Sequence, residues 1–268
     1  MITNISANAV ISDSVEECAR IGMLTPSSNT VLEPVTHEIA RQVPGLSMHF
    51  SRLRVTEIAL NQLALAQFDL DPFLGAAALL VDAKCQVIAW SGTSGGWRGF
   101  RHDQEICDAI EAQYGVSATT SILAQRDLFE AHGVNEFGLL TPYTSDVQTK
   151  IVDNFGAVGF HCLAERHLGI SDNYSFANVD DATIWRLCRE LADEGARSIA
   201  VICTNVKGAG LATALELELG ITLYDSVSVV VLRALQLAGV PVDQVHGWGR
   251  IFSLSSCSDR SASSNSTR

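Results

Sequence analysis

Positive charge is scarce in this sequence. Its 268 residues include 18 Lys and Arg against 30 Asp and Glu, which gives a formal net charge of −12 at pH 7. Nucleic-acid and anionic-membrane surfaces need clustered cationic side chains, because their partners carry closely spaced phosphates. The composition therefore argues against a nucleic-acid partner and against binding to an anionic membrane.

Paired cysteine and histidine motifs are also lacking. The seven cysteines include no C-x-x-C pair, and the seven histidines form no H-x-x-x-H or H-E-x-x-H pattern. An odd number of scattered cysteines favours reduced thiols over a disulfide framework or a zinc site. We therefore expect no bound metal. The cysteines stand at positions 18, 85, 107, 162, 188, 203 and 257.

Signals for export or membrane insertion are missing as well. The N-terminus lacks a basic start followed by an apolar core, and no uncharged apolar stretch approaches the roughly 20 residues that span a bilayer. We expect a cytoplasmic protein without a membrane partner. With 47% hydrophobic residues, the chain is able to bury a substantial core.

Three segments of the sequence recur in the same order. GMLTP at 22–26 recurs as GLLTP at 138–142, and IAWSGTS at 88–94 recurs as IAVICTN at 199–205. A third stretch, at 115–134, begins and ends with a Gly-Val pair and matches a stretch at 220–240. Ordered self-similarity of this kind indicates a duplicated unit.

Short apolar runs alternate with longer amphipathic stretches in each unit, which is the pattern of βαβ repeats. In the first unit the pattern predicts strands near 20–25, 47–53, 86–91 and 117–120. In the second unit it predicts strands at 136–141, 160–167, 198–203 and 221–225, and helices at 145–157, 181–194, 208–218 and 226–238.

These elements predict an α/β fold of two pseudo-symmetric, Rossmann-like lobes, each with a four-stranded parallel sheet covered by helices. We expect residues 18–125 to form the first lobe, completed by 226–252, and residues 126–225 to form the second. The Ser-rich segment 253–268 is expected to be disordered. Since ligands bind beyond the carboxyl ends of parallel strands, we expect the active site in the cleft between the lobes.

Neutral hydrogen-bonding groups dominate the four loops expected to meet in that cleft. The hydroxyl and amide groups of these loops, together with helix-terminal N–H groups, suit a carboxylate or an enolate oxygen. Phosphate matches less well, because GTSGG lacks the Lys of a P-loop and the dinucleotide-binding spacing. These residues are also common turn formers, so a purely structural role stays open. The loops are TPSSNT at 25–30, GTSGGW at 92–97, TPYTSD at 141–146 and CTNVKG at 203–208.

Cys203 falls at the end of a predicted strand and just before a predicted helix. A helix N-terminus favours the thiolate, so the position predicts a lowered pKa and a catalytic thiol. The alternative is a small buried hydrophobic residue, which is the common role of a free cysteine. In the other repeat, Gly92 occupies the equivalent position.

Four segments resemble those of arylmalonate decarboxylases, a branch of the aspartate/glutamate racemase superfamily. Racemases of that superfamily use one cysteine in each lobe, and the decarboxylases keep only the second. The resemblance implies that Thr93, Ser94 and Tyr143 belong to a dioxyanion hole for the carboxylate that stays, and that Cys203 donates the proton. The leaving carboxylate is then expected in an apolar pocket. The segments are GTSGGWRG at 92–99, LTPYTSDV at 140–147, LGIS at 168–171 and GWGRIF at 247–252.

Other segments are similar to the maleate cis-trans isomerases, a sister branch. PSSNT at 26–30 resembles their carboxylate-binding loop, and CTN at 203–205 resembles their second-cysteine motif. The resemblance implies that Asn29, Asn173 and Thr204 bind a substrate carboxylate. Isomerisation in that branch requires a first cysteine, which Gly92 does not supply.

The missing nucleophile decides the expected reaction, because a hydrogen side chain performs no acid, base or covalent step. We expect a decarboxylase of malonate-type, arylmalonate-like dicarboxylic acids that needs no cofactor, with Cys203 as the catalytic thiol and Gly92 opposite it. Gly92→Cys is expected to place a second thiol there. A maleate isomerase or a racemase of a small dicarboxylate stays open, as does a non-catalytic binder of small acids. A homo-oligomer is compatible with the sequence.

Overall fold

Two parallel sheets of the same topology organise the chain. A computed structural model describes residues 18–254, and within them four strands form a sheet of order β2-β1-β3-β4 and four more a sheet of order β6-β5-β7-β8. This confirms the predicted fold of two similar α/β lobes. The strands are β1 (Ala19–Pro26), β2 (Leu46–Leu53), β3 (Val87–Trp90), β4 (Ser117–Thr120), β5 (Glu136–Thr141), β6 (His161–His167), β7 (Ser198–Val201) and β8 (Thr222–Asp225).

Helices connect the strands and cover the sheets. Most predicted elements agree with the structure to within one or two residues, but α2 and α4 are short helices that the hydrophobic pattern did not predict. The helices are α1 (Leu32–Ala40), α2 (Gln62–Ala66), α3 (Leu70–Asp82), α4 (Gly95–Arg98), α5 (Phe100–Tyr114), α6 (Ser121–Ala131), α7 (Ser145–Ala157), α8 (Asp181–Asp193), α9 (Ala212–Leu219) and α10 (Ser226–Leu237).

The chain after β7 differs from the prediction. The strand expected at 198–203 ends at Val201, and the helix expected at 208–218 is a 3₁₀ helix (Ala209–Leu211) followed by α9. Cys203 therefore lies in the loop after β7, beyond the strand and several residues before the next helix.

The three repeated sequence segments occupy equivalent places in the two lobes. GMLTP lies in β1 and GLLTP runs from β5 into its following loop, while β3 and β7 hold the second pair. The third pair begins at Gly115 and Gly220, which end α5 and α9 with the same φ of +66°. Glycine adopts this left-handed conformation with little strain, which explains the position of both residues.

The last helix of each lobe packs on the sheet of the other lobe. Phe129 of α6 contacts Phe137 of β5 and Tyr224 of β8, with ring centroids 5.2 and 4.9 Å apart. Conversely, α10 packs against β3 and β4 of the first sheet, and α6 and α10 also contact each other. The lobes therefore share one continuous hydrophobic core. The predicted lobe boundary at 125/126 falls within α6, and the predicted limits of the lobes stay a prediction.

Capping residues start α6 and α10, the two helices that pack on the sheet of the other lobe, at the same point of each repeat. Thr120, the last residue of β4, accepts the Leu123 N–H at 3.0 Å. Asp225, the last residue of β8, accepts the Val227 N–H at 2.8 Å. Side-chain oxygens at this position satisfy N–H groups that a helix cannot pair internally, so each strand passes directly into its helix.

Residues 62–82 have the length and the mean hydropathy, 1.4, of a membrane-spanning helix. In the structure this stretch is not one helix, because a turn divides it into α2 and α3. The helix α3 packs against β1 and β2 and buries Phe73, Ala77 and Leu80 in the core. The apolar face of α3 is therefore explained by its contact with the first sheet.

The Ser-rich segment predicted to be disordered, 253–268, lies almost entirely outside the described residues. Its first two residues, Ser253 and Leu254, continue a helical turn that starts at Ile251.

Truncating Phe129 tests the shared core. Phe129→Ala removes a fully buried ring that contacts aromatic side chains of β5, α7 and β8. We expect the free energy of unfolding to fall by about 3–5 kcal/mol, in one transition rather than two, measured by urea denaturation. Leu63→Ala is the matched control, because that side chain is 84% exposed, and its effect should stay within about 0.5 kcal/mol. A separate early transition of one lobe in Phe129→Ala would contradict a shared core.

Candidate active site

A small enclosed cavity lies where the loops after β1, β3, β5 and β7 meet. Its volume is about 20 Å³, room for roughly one water molecule. All of the lining side chains are uncharged, and among residues 18–254 no group of three His, Cys, Asp or Glu side chains is placed to hold a metal ion. The lining is apolar at Pro26, Val55, Ile58, Phe68, Trp90, Gly92 and Trp97, and it carries polar atoms at Thr93, Ser94, Tyr143, Asn173, Cys203 and Thr204.

Cys203 lies in this cavity with its side chain almost fully buried, 2% exposed. Its Sγ accepts the Asn205 N–H at 3.4 Å, and it also interacts with the Tyr143 hydroxyl. The pKa of Cys203 is raised to about 12, chiefly by burial and to a lesser extent by the nearby Asp225, against the lowering effect of Asn205 and Tyr143. The lowered pKa expected from a helix N-terminus is wrong, because no helix starts next to this residue. At neutral pH the group is a thiol, which is the form that donates a proton.

Two hydroxyl groups from opposite lobes meet beside the thiol. Thr93 Oγ1 and the Tyr143 hydroxyl form a hydrogen bond of 2.7 Å. The Tyr143 ring is fixed edge-on between Trp97 and Phe176, with centroids 5.3 and 5.4 Å apart. Burial keeps the pKa of Tyr143 well above its usual value, so the phenol stays protonated. This pair supplies neutral donors whose positions are set by both lobes.

Ser94 lies next to this pair at the start of α4. Its Oγ accepts the indole N–H of Trp90 at 3.1 Å, which leaves the Ser94 hydroxyl hydrogen to donate elsewhere. Thr93, Ser94 and Tyr143 thus line the same cavity as Cys203.

Asn29 and Thr204 form a tie between the lobes. Asn29 Nδ2 donates to Thr204 Oγ1 at 3.0 Å, and Thr204 Oγ1 donates to the Ser91 carbonyl at 3.1 Å. The Asn29 Oδ1 accepts the N–H groups of Val31 and Leu32, which cap α1. Thr204 lines the cavity but Asn29 does not. Their predicted carboxylate contacts stay predictions, since in this structure both side chains are engaged in holding loops together.

Asn205 is a bridging residue that the sequence did not single out. Its Oδ1 accepts the Thr30 N–H at 2.9 Å, and its Nδ2 donates to the Asn173 carbonyl at 2.6 Å. The Nδ2 of Asn173 is in turn occupied by Ser28 Oγ at 2.8 Å. The signal was available, because Asn205 is the repeat equivalent of Ser94 and falls in the same loop as Cys203.

Two segments from opposite lobes cover the cavity. Glu57 and Asp172 form an isolated antiparallel bridge, flanked by backbone hydrogen bonds from Ile58 to Ser171 and from Asn173 to Thr56. We call residues 54–68 the cap, because Val55, Ile58 and Phe68 of this segment line the cavity. The cavity holds about one water molecule, so a larger ligand fits only if its lining moves.

The space beside Gly92 is filled by the Trp90 indole. A Cβ added at Gly92 would lie 2.2 Å from Trp90 Cζ2 and 2.4 Å from Cε2. The indole is fixed on its other side by Phe73, whose ring meets it edge-on at 4.9 Å. Residues 90 and 92 fall on the same face of the strand and its extension, so a side chain at 92 requires the Trp90 indole to move. The expectation that Gly92→Cys adds an opposed thiol stays a prediction.

Known proteins with similar sequences are named as two kinds of enzyme, arylmalonate decarboxylase and maleate isomerase. The family model described as arylmalonate decarboxylase matches residues 30–252. The maleate isomerase of Geobacillus stearothermophilus is 22% identical over 230 residues, 81% of this chain and 90% of that protein. The arylmalonate decarboxylase of Bordetella bronchiseptica is 26% identical over 169 residues, 62% of this chain and 70% of that protein.

A solved structure shares the fold. A variant of the Nocardia farcinica maleate cis-trans isomerase, described with a covalently bound succinylcysteine intermediate, superposes with a TM-score of 0.80 at 21% identity. The match covers 87% of this chain and 98% of that one.

A double-mutant cycle tests the contact between positions 90 and 92. Gly92→Cys should destabilise the fold by about 1–3 kcal/mol through overpacking, and Trp90→Ala by about 3–5 kcal/mol through loss of the buried ring. In the double variant the new side chain enters the space left by the indole, so the combined loss should be at least about 1 kcal/mol smaller than the sum. Urea denaturation measures all four proteins. Gly210→Cys is the control, because a Cβ there meets no atom within 4 Å. Additive losses would contradict the contact.

The ionisation of Cys203 can be measured directly. We expect the Cβ chemical shift of ¹³C-labelled Cys203 to remain that of a thiol up to at least pH 10, because burial raises its pKa to about 12. The same shift in pKa determines how the free energy of unfolding changes with pH. Between the pKa of the unfolded thiol, about 8.5, and that of the folded one, the unfolded chain binds fewer protons, so stability falls as pH rises. Cys203→Ser assigns the signal. A thiolate shift below pH 9 would refute the assignment of a protonated thiol.

Proposed function

Because the chain belongs to the arylmalonate decarboxylase family, we propose that it is a decarboxylase of malonate-type dicarboxylic acids whose own residues perform the reaction. Its curated relatives are enzymes, named as decarboxylase or isomerase. The proposal concerns which of these reactions the residues of this cavity support.

One observation carries the proposal: the cavity holds a single protonated thiol, and an indole occupies the position where a second reactive group would sit. Cys203 and Gly92 both line the cavity, and Trp90 fills the space beside Gly92. A racemase or an isomerase of the two-cysteine kind needs an acid, base or nucleophile on both sides. A decarboxylase needs one proton donor after the carbon–carbon bond has broken.

The uncharged lining favours the loss of a carboxylate. A carboxylate without a cationic partner is poorly stabilised in a buried, largely apolar site, whereas carbon dioxide is neutral. Val55, Ile58 and Phe68 supply an apolar wall for the group that leaves. The same wall suits the substrate's side chain, so these residues are expected to set its size.

The carboxylate that stays is assigned to the hydroxyl groups of Thr93, Ser94 and Tyr143. Loss of carbon dioxide breaks the bond to the α carbon and leaves the electron pair on that carbon, delocalised into the retained carboxylate as an enediolate. Neutral donors that are already in position stabilise the charge that develops on its oxygens. Asn29, Thr204, Asn173 and Asn205 are assigned to hold the loops that carry these donors and the thiol.

The final step is protonation of the α carbon. The Cys203 Sγ–H bond breaks, the proton forms the new C–H bond, and water later returns a proton to the thiolate. The Asn205 N–H, which already contacts Sγ, stabilises that thiolate between the two transfers. Because the proton arrives from one side only, a prochiral malonate should give one enantiomer.

Maleate isomerisation is the second candidate. It is supported by the relative of that name, which aligns over 90% of its own length, and by Asn173 and Thr204 in the lining. In this chain Cys203 would have to add to the double bond itself and leave again, since position 92 offers no nucleophile.

Replacing the thiol tests the proposed reaction. Cys203→Ser should lower kcat for carbon dioxide release from aryl- and alkylmalonates by about 10²–10⁴-fold, because a hydroxyl is a far weaker acid than a thiol. Product chirality is measured in the same assay by chiral chromatography. Cys162→Ser serves as the control, since Cys162 lies in β6 and does not line the cavity.

Three results would count against the decarboxylase. Racemic product from the native protein would mean that both faces are protonated, and full activity of Cys203→Ser would place the proton donor elsewhere. Formation of fumarate from maleate without carbon dioxide release from any malonate would favour the isomerase.

A further inference from the structure

A second, larger cavity lies next to the first and, unlike it, is lined by charged side chains. Its volume is about 500 Å³, within the usual range for small-molecule sites. We call it the outer cavity and the one at Cys203 the inner cavity. The outer cavity is lined by Leu60, Leu65, Trp97, Arg98, Arg101, His102, Glu105 and Lys150.

Cationic side chains dominate the outer cavity. Arg98, Arg101 and Lys150 face a single acidic residue, Glu105, which pairs with Arg101 at 2.9 Å. Lys150 comes from α7 of the second lobe, so both lobes contribute charge. In a chain with a net charge of −12, three cations around one cavity form a local region that attracts anions.

Three buried donor groups in the lining have no hydrogen-bond partner in the protein: Trp97 Nε1, Arg98 Nε and His102 Nε2. Buried polar atoms are nearly always paired, because leaving one unpaired costs about 1–3 kcal/mol. The pKa of His102 is lowered to about 4 by its burial and by Arg98, so its ring is neutral at pH 7. These unpaired atoms belong to residues that line the outer cavity.

Trp97 separates the two cavities, because its indole lines both. The ring is held edge-on by Phe68 of the cap and by Tyr143, with centroids 5.7 and 5.3 Å apart. Arg98 connects the same elements, since its NH1 donates to the Leu65 carbonyl of the cap at 2.9 Å. An anion that draws this guanidinium to itself would remove a hydrogen bond that holds the cap.

We infer that the outer cavity is a binding site for the carboxylate of a small organic acid and the vestibule through which the acid reaches Cys203. The inference rests on the proposed function, because the acid is taken to be its substrate. Cations in the outer cavity collect the anion from solution by charge attraction, and Trp97 and the cap then move to admit it. Placing these cations outside the inner cavity leaves the carboxylate at Cys203 without a stabilising charge.

Binding is tested with malonate and the indole N–H signals of the protein. In a Cys203→Ser background, where turnover is blocked, malonate should shift the Trp97 signal at concentrations that leave the Trp90 signal unchanged, because Trp90 lines only the inner cavity. Trp97→Phe and Trp90→Phe assign the two signals. If both signals follow one binding curve, no separate outer site exists and the inference is overturned.

Charge removal tests the role of the cations. Arg101→Gln with Lys150→Gln, both exposed positions, should raise the malonate concentration for half-saturation of the Trp97 shift about fivefold or more at low salt. Added salt should shrink that difference. Arg41→Gln with Arg189→Gln removes the same charge from pairs on other surfaces and is the control. If the two double variants had equal effects, the change in binding would reflect only the net charge of the protein. That result would overturn the inferred site.

Kinetics separate a vestibule from the reaction itself. With the native thiol, Arg101→Gln/Lys150→Gln should lower kcat/KM severalfold and leave kcat unchanged, since the cations act before the chemical step. A lowered kcat with unchanged kcat/KM would contradict a vestibule. If no malonate releases carbon dioxide, the proposed function fails, while the separate Trp97 shift still stands as its own result.

Discussion

Polar groups at the interface between the lobes must find their partners in the opposite lobe, because water does not reach them. The loop after β7 shows this constraint most clearly. Thr204 pairs with Asn29 and with the Ser91 carbonyl of the first lobe, and Asn205 pairs with Thr30 of the first lobe and with Asn173 of its own. Each unpaired group would cost about 1–3 kcal/mol, so the lobes have few ways to sit together. Cys203 lies in that loop, and its position is therefore set by bonds to the other lobe.

Burial has two chemical effects that act in the same direction. It raises the pKa of the thiol, so the proton stays on Cys203 until a strongly basic carbon is present. It also leaves a carboxylate in the inner cavity without charge compensation, since all lining side chains are neutral. In the proposed decarboxylation, burial therefore favours both the loss of carbon dioxide and the protonation that follows. A cation placed beside the thiol would oppose both effects.

The sequence specified the fold better than the site. The alternation of apolar and amphipathic stretches, with Gly115 and Gly220 at equivalent helix ends, was sufficient to predict two parallel sheets, because these signals are local. The repeats also located Cys203 and Gly92 correctly at the loops that meet. The direction of the pKa shift was missed, since it depends on burial and on β7 ending at Val201. The role of Trp90 was missed too, although alternation along the strand places residues 90 and 92 on one face. Which side chain fills a space is decided by contacts such as that with Phe73, which lie far apart in sequence.

The exchange of α6 and α10 ties the first half of the molecule to the last helix of the chain. A ribosome makes the strands of the first sheet early, but α10, which packs on β3 and β4, emerges only after the second sheet has been synthesised. At synthesis rates of about 5–20 residues per second, the face of the first sheet that α10 covers stays exposed for several seconds. During synthesis there is therefore a period in which one face of the first sheet is not yet covered by α10 and is accessible to chaperones.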